Sequence, residues 1–325
     1  MNSQNKKSWL VPLQLVVLLA LALLSLFVGV TEISPLGIFQ RDFVQIKVML
    51  ISRIPRLLSI IMTGSSLAVA GLIMQSLMQN RFVSPTTAGT MEWCRLGVLL
   101  AILVFPDIPP LLRVVVAFAV SLAGTLLFVM FINNIKSQNI IFVPLCGMML
   151  GSVVAAFTTF FAYSYDIMQN MTSWLQGNFS LIVRGNYELL YIGIPLMVLA
   201  YFFADRFTIA GMGKGMATNL GLNHALTMRV GLTIVAMISS VTIVAVGNIP
   251  FLGLVVPNLV SLYRGDSIRN TLFETAWLGA IMVLACDLIG RILIFPYEIP
   301  IGIIFSVLGG GMFLILLFRR ASHAA

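Results

Sequence analysis

The residues of this sequence that could do chemistry are few, and most of them form oppositely charged pairs at helical spacing. Asp287 and Arg291 lie four residues apart, and Glu92 and Arg95 lie three apart. At these spacings two side chains share one face of an α-helix and can form an ion pair. A carrier driven by protons or sodium usually places carboxylates within its spans. Here the carboxylates are already matched by arginines, which argues against an ion-coupling site.

No motif predicts a nucleotide or metal site. The segment GMGKGMAT, residues 211–218, lacks the spacing of a phosphate-binding P-loop. Cys94, Cys146 and Cys286 lie in apolar surroundings without a CxxC pair, so we interpret them as packing residues. His224 is interpreted as part of an amphipathic helix. We therefore expect no catalytic residue, no metal site and no bound cofactor, and we expect any energy to come from another polypeptide.

The composition indicates the kind of scaffold that positions these residues. Of 325 residues, 59% are hydrophobic and 9% are charged, and the mean hydropathy is +1.04. Soluble proteins carry roughly 25% charged residues, so this chain must use lipid as its solvent. Long apolar runs without alternation favour helices of about 20 residues over a β-barrel wall. We predict an all-α polytopic membrane protein, with one transmembrane domain over residues 1–325.

The apolar runs predict about ten transmembrane helices, which would place both termini on the same side. The first run follows Lys6 and Lys7 and ends without an A-x-A-like site, so we interpret it as an uncleaved helix. The predicted spans are 10–30, 53–76, 88–105, 111–132, 139–162, 187–204, 229–248, 250–263, 276–296 and 299–318.

The basic residues in the connections favour cytoplasmic termini, because Lys and Arg accumulate in cytoplasmic loops. The predicted inner set is Lys6, Lys7, Arg81, Arg95, Lys136, Arg206, Lys214, Arg229, Arg264, Arg269, Arg319 and Arg320. The smaller predicted outer set is Arg41, Lys47, Arg53, Arg56, Arg113, Arg184 and Arg291. The outer arginines run against the trend and require an explanation.

Three connections exceed a simple turn, and loops of this size are usually functional. Residues 31–52 and 163–186 are predicted outside, the second with a short helix over the outer mouth. Residues 205–228 are predicted inside, as a Gly-rich turn followed by one or two short amphipathic helices.

Four motifs resemble the FecCD-type permeases, which are membrane subunits of ABC importers for iron–siderophores, haem and cobalamin. The motifs are Arg53 to Thr90, Gly247 to Asn270 (GNIPFLGLVVPNLVSLYRGDSIRN), Asp287 to Arg291 (DLIGR) and Glu298 to Leu317 (EIPIGIIFSVLGGGMFLILL). The resemblance implies the type II importer architecture of ten helices per subunit. It also implies a dimer of identical or homologous permease subunits around a central path, two cytoplasmic ATPase subunits and an extracytoplasmic binding protein.

Two departures from the family pattern resemble a subgroup for catecholate-type siderophores. After the proline, where family members commonly have a run such as LGISSGA, the sequence has AGTMEWCRLG, which introduces Glu92 and Trp93. Pro257-Asn258 stands where a Pro-His pair is usual. These residues are expected near the cytoplasmic side, where contact with the ligand is not required.

The outer arginines are candidates for docking the binding protein. Arg53 and Arg56 flank a proline at the outer end of the second span. A planar guanidinium binds a carboxylate through two parallel hydrogen bonds. The resemblance gives Arg291 the same role. The alternative is that these side chains are interfacial anchors that reach toward lipid headgroups.

The 205–228 segment is the candidate contact for the ATPase subunits. Its glycines allow a sharp reversal, and Gly221-Leu222 fits the "LG" of the family near this helix. The alternative is an ordinary interfacial helix. The residues assigned to this site are Gly213, Gly215, Gly221, Leu222 and His224.

A third set is assigned to helix packing or to the translocation path. Gly64 and Gly71 lie seven apart on one helix face, where another helix could approach closely. Gln75 shares this span, and Pro257 and Asn258 lie in a short span near the C-terminal third. We favour packing over contact with a ligand.

We predict a permease that carries an iron–siderophore complex across the bacterial inner membrane and performs no chemistry itself. Iron would arrive already chelated, so no protein metal site is required. A haem or cobalamin permease on the same scaffold is one alternative. Two alternatives come from other classes of protein: an ion-coupled secondary carrier and a membrane sensor.

Overall fold

The computed structural model describes residues 10–29, 42–134, 142–185 and 187–324, and these residues are almost entirely helical. The α-helices in those ranges are α1 (Leu10–Phe27), α2 (Phe43–Leu77), α3 (Thr90–Val104), α4 (Pro110–Asn134), α5 (Phe142–Ser164), α6 (Met168–Leu175), α7 (Gly193–Phe202), α8 (Ala204–Ala210), α9 (Lys214–Asn219), α10 (His224–Val246), α11 (Leu252–Arg264), α12 (Ile268–Ile292) and α13 (Ile301–Ala324). Short 3₁₀ turns cover Pro85–Ala88 and Glu188–Ile192. The all-α prediction is confirmed.

Helix length and composition agree with a multi-pass membrane protein. The described residues contain six helices that are long and apolar enough to cross a membrane: α2, α4, α5, α10, α12 and α13. A seventh span is possible if Glu188–Phe202 and Ala204–Ala210, which meet at a bend of 62°, act as one. The shorter apolar helices α1 and α11, together with α3, occupy the remaining three predicted positions.

Several helices are longer than the predicted spans, because a helix can continue past the apolar stretch that crosses a membrane. Helix α2 begins at Phe43, ten residues before the predicted start, and the Asp42 side chain caps it by accepting from Val44 N. Helix α12 begins at Ile268 rather than 276. Helix α10 begins at His224, so the inner connection is shorter than predicted.

Helix α2 forms the centre of the bundle and is buried by α10, α11 and α12. Two glycines permit this packing, but they face different helices. A Cβ on Gly64 would lie 2.8 Å from Gly279 O of α12. A Cβ on Gly71 would overlap Gly253 O of α11. Small residues at such crossings let backbones approach closely in a membrane protein.

The predicted outer segment contains the short helix α6, and its neighbourhood is tied to the bundle by backbone and side-chain hydrogen bonds. Trp174 Nε1 donates to Val244 O at 2.8 Å, and Asn178 N donates to Val246 O at 2.9 Å. These bonds fix the end of α10 against the segment that follows α6. Residues 30–41 of the other predicted outer connection lie outside the described residues.

Candidate docking and coupling sites

The outer arginines form a buried ion-pair cluster rather than an exposed surface. Arg56 Nη2 lies 2.8 Å from Asp287 Oδ1, and Arg56 Nη1 lies 2.7 Å from Glu298 Oε2. Arg291 also pairs with Asp287. Asp287 is thus shared by two guanidinium groups from two helices. Arg53, Arg56 and Arg291 are only 7%, 8% and 3% exposed.

The same arginines hold the outer end of the first helix. Arg291 Nη1 donates to Ser25 O at 2.8 Å and to Val28 O at 3.0 Å, and Arg53 Nη1 donates to Val28 O at 2.6 Å. Carbonyls at a helix C-terminus lack intrahelical partners, and a cation there is favourable. The interpretation of α1 as part of the folded protein agrees with these contacts.

The sequence indicated part of this cluster. The Asp287–Arg291 pair was expected from its spacing and is confirmed, as is the Glu92–Arg95 pair at 3.3 Å. Arg56 is separated from Asp287 by 231 positions in the sequence and from Glu298 by 242. No local pattern could therefore have predicted these two bonds. Docking by the three arginines stays a prediction, and the structure places all three in one cluster.

The inner candidate segment contains two short helices joined by glycines. Gly213 and Gly221 have positive φ values of 101° and 76°, which favour glycine at these turns. Gly215 instead lies within α9, Leu222 packs against the core, and His224 begins α10. The predicted sequence of a glycine turn and short helices agrees with the structure. Its role in ATPase contact stays a prediction.

A cleft of about 560 Å³ adjoins this segment, between the ends of α2, α8 and α11 and the start of α12. Arg81 and Asp266 pair at its edge, and Arg81 Nη1 donates to Ser261 Oγ at 3.0 Å. Arg269 and Asp205 form a second exposed pair nearby. The exposed ion pairs therefore lie beside a cleft whose lining is mostly apolar.

Gln75 and Asn258 bond backbone groups and therefore act in packing. Gln75 Nε2 donates to Leu254 O at 3.1 Å, and Asn258 Nδ2 donates to Arg81 O at 2.7 Å. Both residues are buried, at 7% and 3% exposure, and they connect α2 and its following turn to α11. Pro257 is buried in α11 and lines the cleft.

Within the described ranges, no group of three or more His, Cys, Asp or Glu side chains could hold a metal ion. Glu274, a buried carboxylate that the sequence analysis did not single out, pairs with Arg264. Cys94 is buried and lies 2.8 Å from Ser121 Oγ, in contact between α3 and α4. These groups are engaged in helix packing and ion pairing.

Comparison with known proteins identifies the family that has this architecture. A model of the FecCD transport family matches residues 17–319. The petrobactin import system permease protein YclN of Bacillus subtilis (strain 168) is 50% identical over 309 residues, which cover 95% of this chain and 98% of that protein. The ferric-anguibactin transport system permease protein FatD of Vibrio anguillarum is 43% identical over 270 residues, covering 83% and 86%.

Two more distant proteins share the scaffold. The vitamin B12 import system permease protein BtuC of Yersinia enterocolitica is 29% identical over 276 residues, covering 83% of this chain and 81% of that protein. A chain of a metal-chelate type ABC transporter, solved in an inward-facing conformation, superposes with a TM-score of 0.81 at 23% identity and covers 94% and 97%. From its length, its helices and these matches, the chain belongs to the FecCD transport family.

Proposed function

We propose that this chain is the membrane-spanning permease subunit of a binding-protein-dependent ABC importer for iron–siderophore complexes. The observation that carries the proposal is 50% identity to a petrobactin permease over nearly the full length of both chains. The chain is a transport subunit and not an enzyme, and ATP is hydrolysed by separate subunits. It passes the iron as a chelate and holds no cofactor of its own.

The proposed arrangement has both termini in the cytoplasm of a bacterium, in its inner membrane. Two permease subunits, identical or homologous, enclose the path. The exposed apolar face of α5 is one surface available to a second subunit or to lipid, since Met149, Val153 and Phe160 are 64%, 69% and 66% exposed. The inner segment from α8 to α9, beside the cleft, receives the ATPase subunits.

Docking of the binding protein at the outer cluster requires an exchange of ion pairs. Arg56 is enclosed by two carboxylates, of which Asp287 is 3% exposed and Glu298 is 20% exposed at the side chain. A carboxylate of the partner can therefore reach Arg56 by replacing Glu298. Removal of this competitor in Glu298→Gln should tighten binding of the binding protein. Unchanged or weaker binding would count against the exchange.

The catecholate class is proposed from the subgroup resemblance at Glu92, Trp93 and Asn258. These residues contact the protein itself: Glu92 pairs with Arg95, Trp93 packs at Gly124, and Asn258 bonds backbone carbonyls. The resemblance to the subgroup does not require them to contact the ligand.

The test is uptake of radioactive iron by proteoliposomes that contain this chain, its membrane partner and the ATPase. Catecholate, hydroxamate, haem and cobalamin ligands are supplied with matching binding proteins, with and without internal ATP. ATP-dependent uptake of a catecholate iron complex is expected. Uptake of cobalamin or haem alone would reassign the substrate, and uptake without ATP or binding protein would indicate a secondary carrier.

A further inference from the structure

Helix α2 is much longer than a membrane is thick. Its 35 residues span about 50 Å at a rise of about 1.5 Å per residue, against about 30 Å of hydrocarbon. The stretch from Arg56 to Leu77 alone covers about 30 Å. With Arg56 at the outer boundary, residues 43–53 extend outward by about 15 Å. We call these residues the outer projection.

The outer projection is apolar where a helix surrounded by water should be polar. Phe43, Val44 and Leu50 are 87%, 68% and 53% exposed. Lys47 is exposed on the same short helix, and in the described part of the chain no carboxylate lies within 4 Å of its ammonium. Exposed apolar patches rimmed by polar residues mark sites of contact with another protein or with a membrane.

The outer loop, residues 178–185, is fastened to this projection. The projection contains a π-helical turn, Met49–Arg53, and Arg184 N donates to Ile51 O of that turn at 3.0 Å. Such turns are frequent at functional sites. Leu181 is 68% exposed and the Arg184 side chain is exposed, again with no carboxylate within 4 Å among the described residues. Loop and projection thus form one apolar, cationic surface.

We infer that the outer projection and the outer loop form the surface that the extracytoplasmic binding protein contacts first, through acidic and apolar groups of its own. The inference rests on the proposed importer function and adds residues to its docking site. Arg53, Arg56 and Arg291 are buried, whereas Lys47 and Arg184 are exposed, so an approaching carboxylate meets the two exposed cations first. Charges at an interface rim steer association and fix orientation.

The test measures association of the binding protein with the complete transporter in lipid nanodiscs. Lys47→Glu and Arg184→Glu should each lower the association rate constant about three- to tenfold at low salt, and the difference should shrink at high salt. The matched control is Arg229→Glu, an exposed arginine near the start of α10 at the opposite end of the bundle, which should change the rate less than about twofold. The inference would be overturned if the association rate constant fell equally in all three variants, or if it did not fall in Lys47→Glu and Arg184→Glu.

A second measurement separates this surface from a helix lying on lipid headgroups. A fluorophore on Val44→Cys should be quenched by an aqueous quencher and protected when the binding protein is added. Quenching by a lipid-borne quencher, without protection by the binding protein, would instead assign the projection to the membrane. Loss of ATP-dependent uptake by the wild-type transporter bears on the importer function alone, because these association measurements do not depend on transport.

Discussion

The two ends of the bundle, predicted to be outer and inner, carry ion pairs of the same chemical kind in different surroundings. At the outer end, the side chains of Arg56, Asp287 and Arg291 are 9%, 3% and 1% exposed. At the inner end, Arg269 and Asp205 are 56% and 58% exposed. Exposed pairs contribute about 0–1 kcal/mol, whereas removal of one partner from a buried pair costs about 3–5 kcal/mol.

This difference in exposure indicates that the ion pairs at the two ends have different roles. The outer cluster ties α1, α2 and α12 together, and its buried pairs to Asp287 are costly to break, whereas Glu298, at 20% side-chain exposure, can exchange. The inner pairs, Arg81–Asp266 and Arg269–Asp205, can break and re-form at little cost, as a surface that follows motion of a partner requires. Four predictions test this comparison, from the largest expected effect to the smallest.

The largest effect is expected from Asp287→Ala. This change leaves Arg56 with only Glu298 and leaves Arg291 without a carboxylate, both in buried surroundings, and should destabilise the protein by about 3–5 kcal/mol. Thermal unfolding of the detergent-solubilised transporter and the amount of protein in the membrane measure it. If Asp287→Ala were as stable as Asp205→Ala, the contrast between the two ends would fail.

A steric change at the inner half of α2 is expected to rank second. In Gly71→Ala the new methyl group would overlap the backbone of Gly253, so α2 and α11 must separate, at a cost of about 1–3 kcal/mol. The control is Gly311→Ala in α13, where no atom lies within 4 Å of the new Cβ. Equal melting temperatures would show that backbone contact does not hold the inner half together.

Arg291→Lys separates charge from geometry at the outer cluster. Lysine keeps the charge near Asp287 but cannot also donate in a planar fork to Ser25 and Val28, so a loss of about 1–2 kcal/mol is expected. Ser25→Ala, which removes only the 3.1 Å bond to Ser25 Oγ, should cost less. Stability matching wild type in Arg291→Lys would mean that charge alone anchors α1.

The smallest effect is expected at the inner surface. Arg269→Ala should change stability by less than about 1 kcal/mol, because both members of its pair are exposed. The same variant is expected to alter the stimulation of ATPase activity by the docked binding protein if this surface follows the ATPase. A destabilisation as large as that of Asp287→Ala would remove the distinction between the ends.

The sequence predicted the class of fold and the positions of the helices, but several helices are longer than the predicted spans. Residues 43–52 were predicted as part of an outer connection, whereas they belong to α2, because a helix that leaves lipid tolerates charged residues such as Lys47. The predicted span 187–204 corresponds to Glu188–Phe202, and the chain bends by 62° directly after it, where α8 begins. Apolar length predicts insertion and does not report bends.

Among the candidate residues, local pairs were predictable and long-range partners were not. Spacing alone gave Asp287–Arg291 and Glu92–Arg95, since neighbours on a helix are fixed by its pitch. Gly64 and Gly71 looked equivalent on one face, but the fold directs them to α12 and α11 respectively. The pair of Glu274 with Arg264 was not predicted, because Arg264 belongs to the preceding helix and the spacing of a single helix does not reveal it.

The sequence by itself determined that this chain is a membrane protein, that it spans the membrane many times as helices, and which family it resembles. These properties follow from hydropathy and from contiguous motifs, which need no knowledge of distant contacts. Only the tertiary structure decided that Arg53, Arg56 and Arg291 are buried among Asp287, Glu298 and the end of α1, and that α2 is one helix of 35 residues. Burial and pairing depend on helices far apart in the chain, whose relative placement is set by packing.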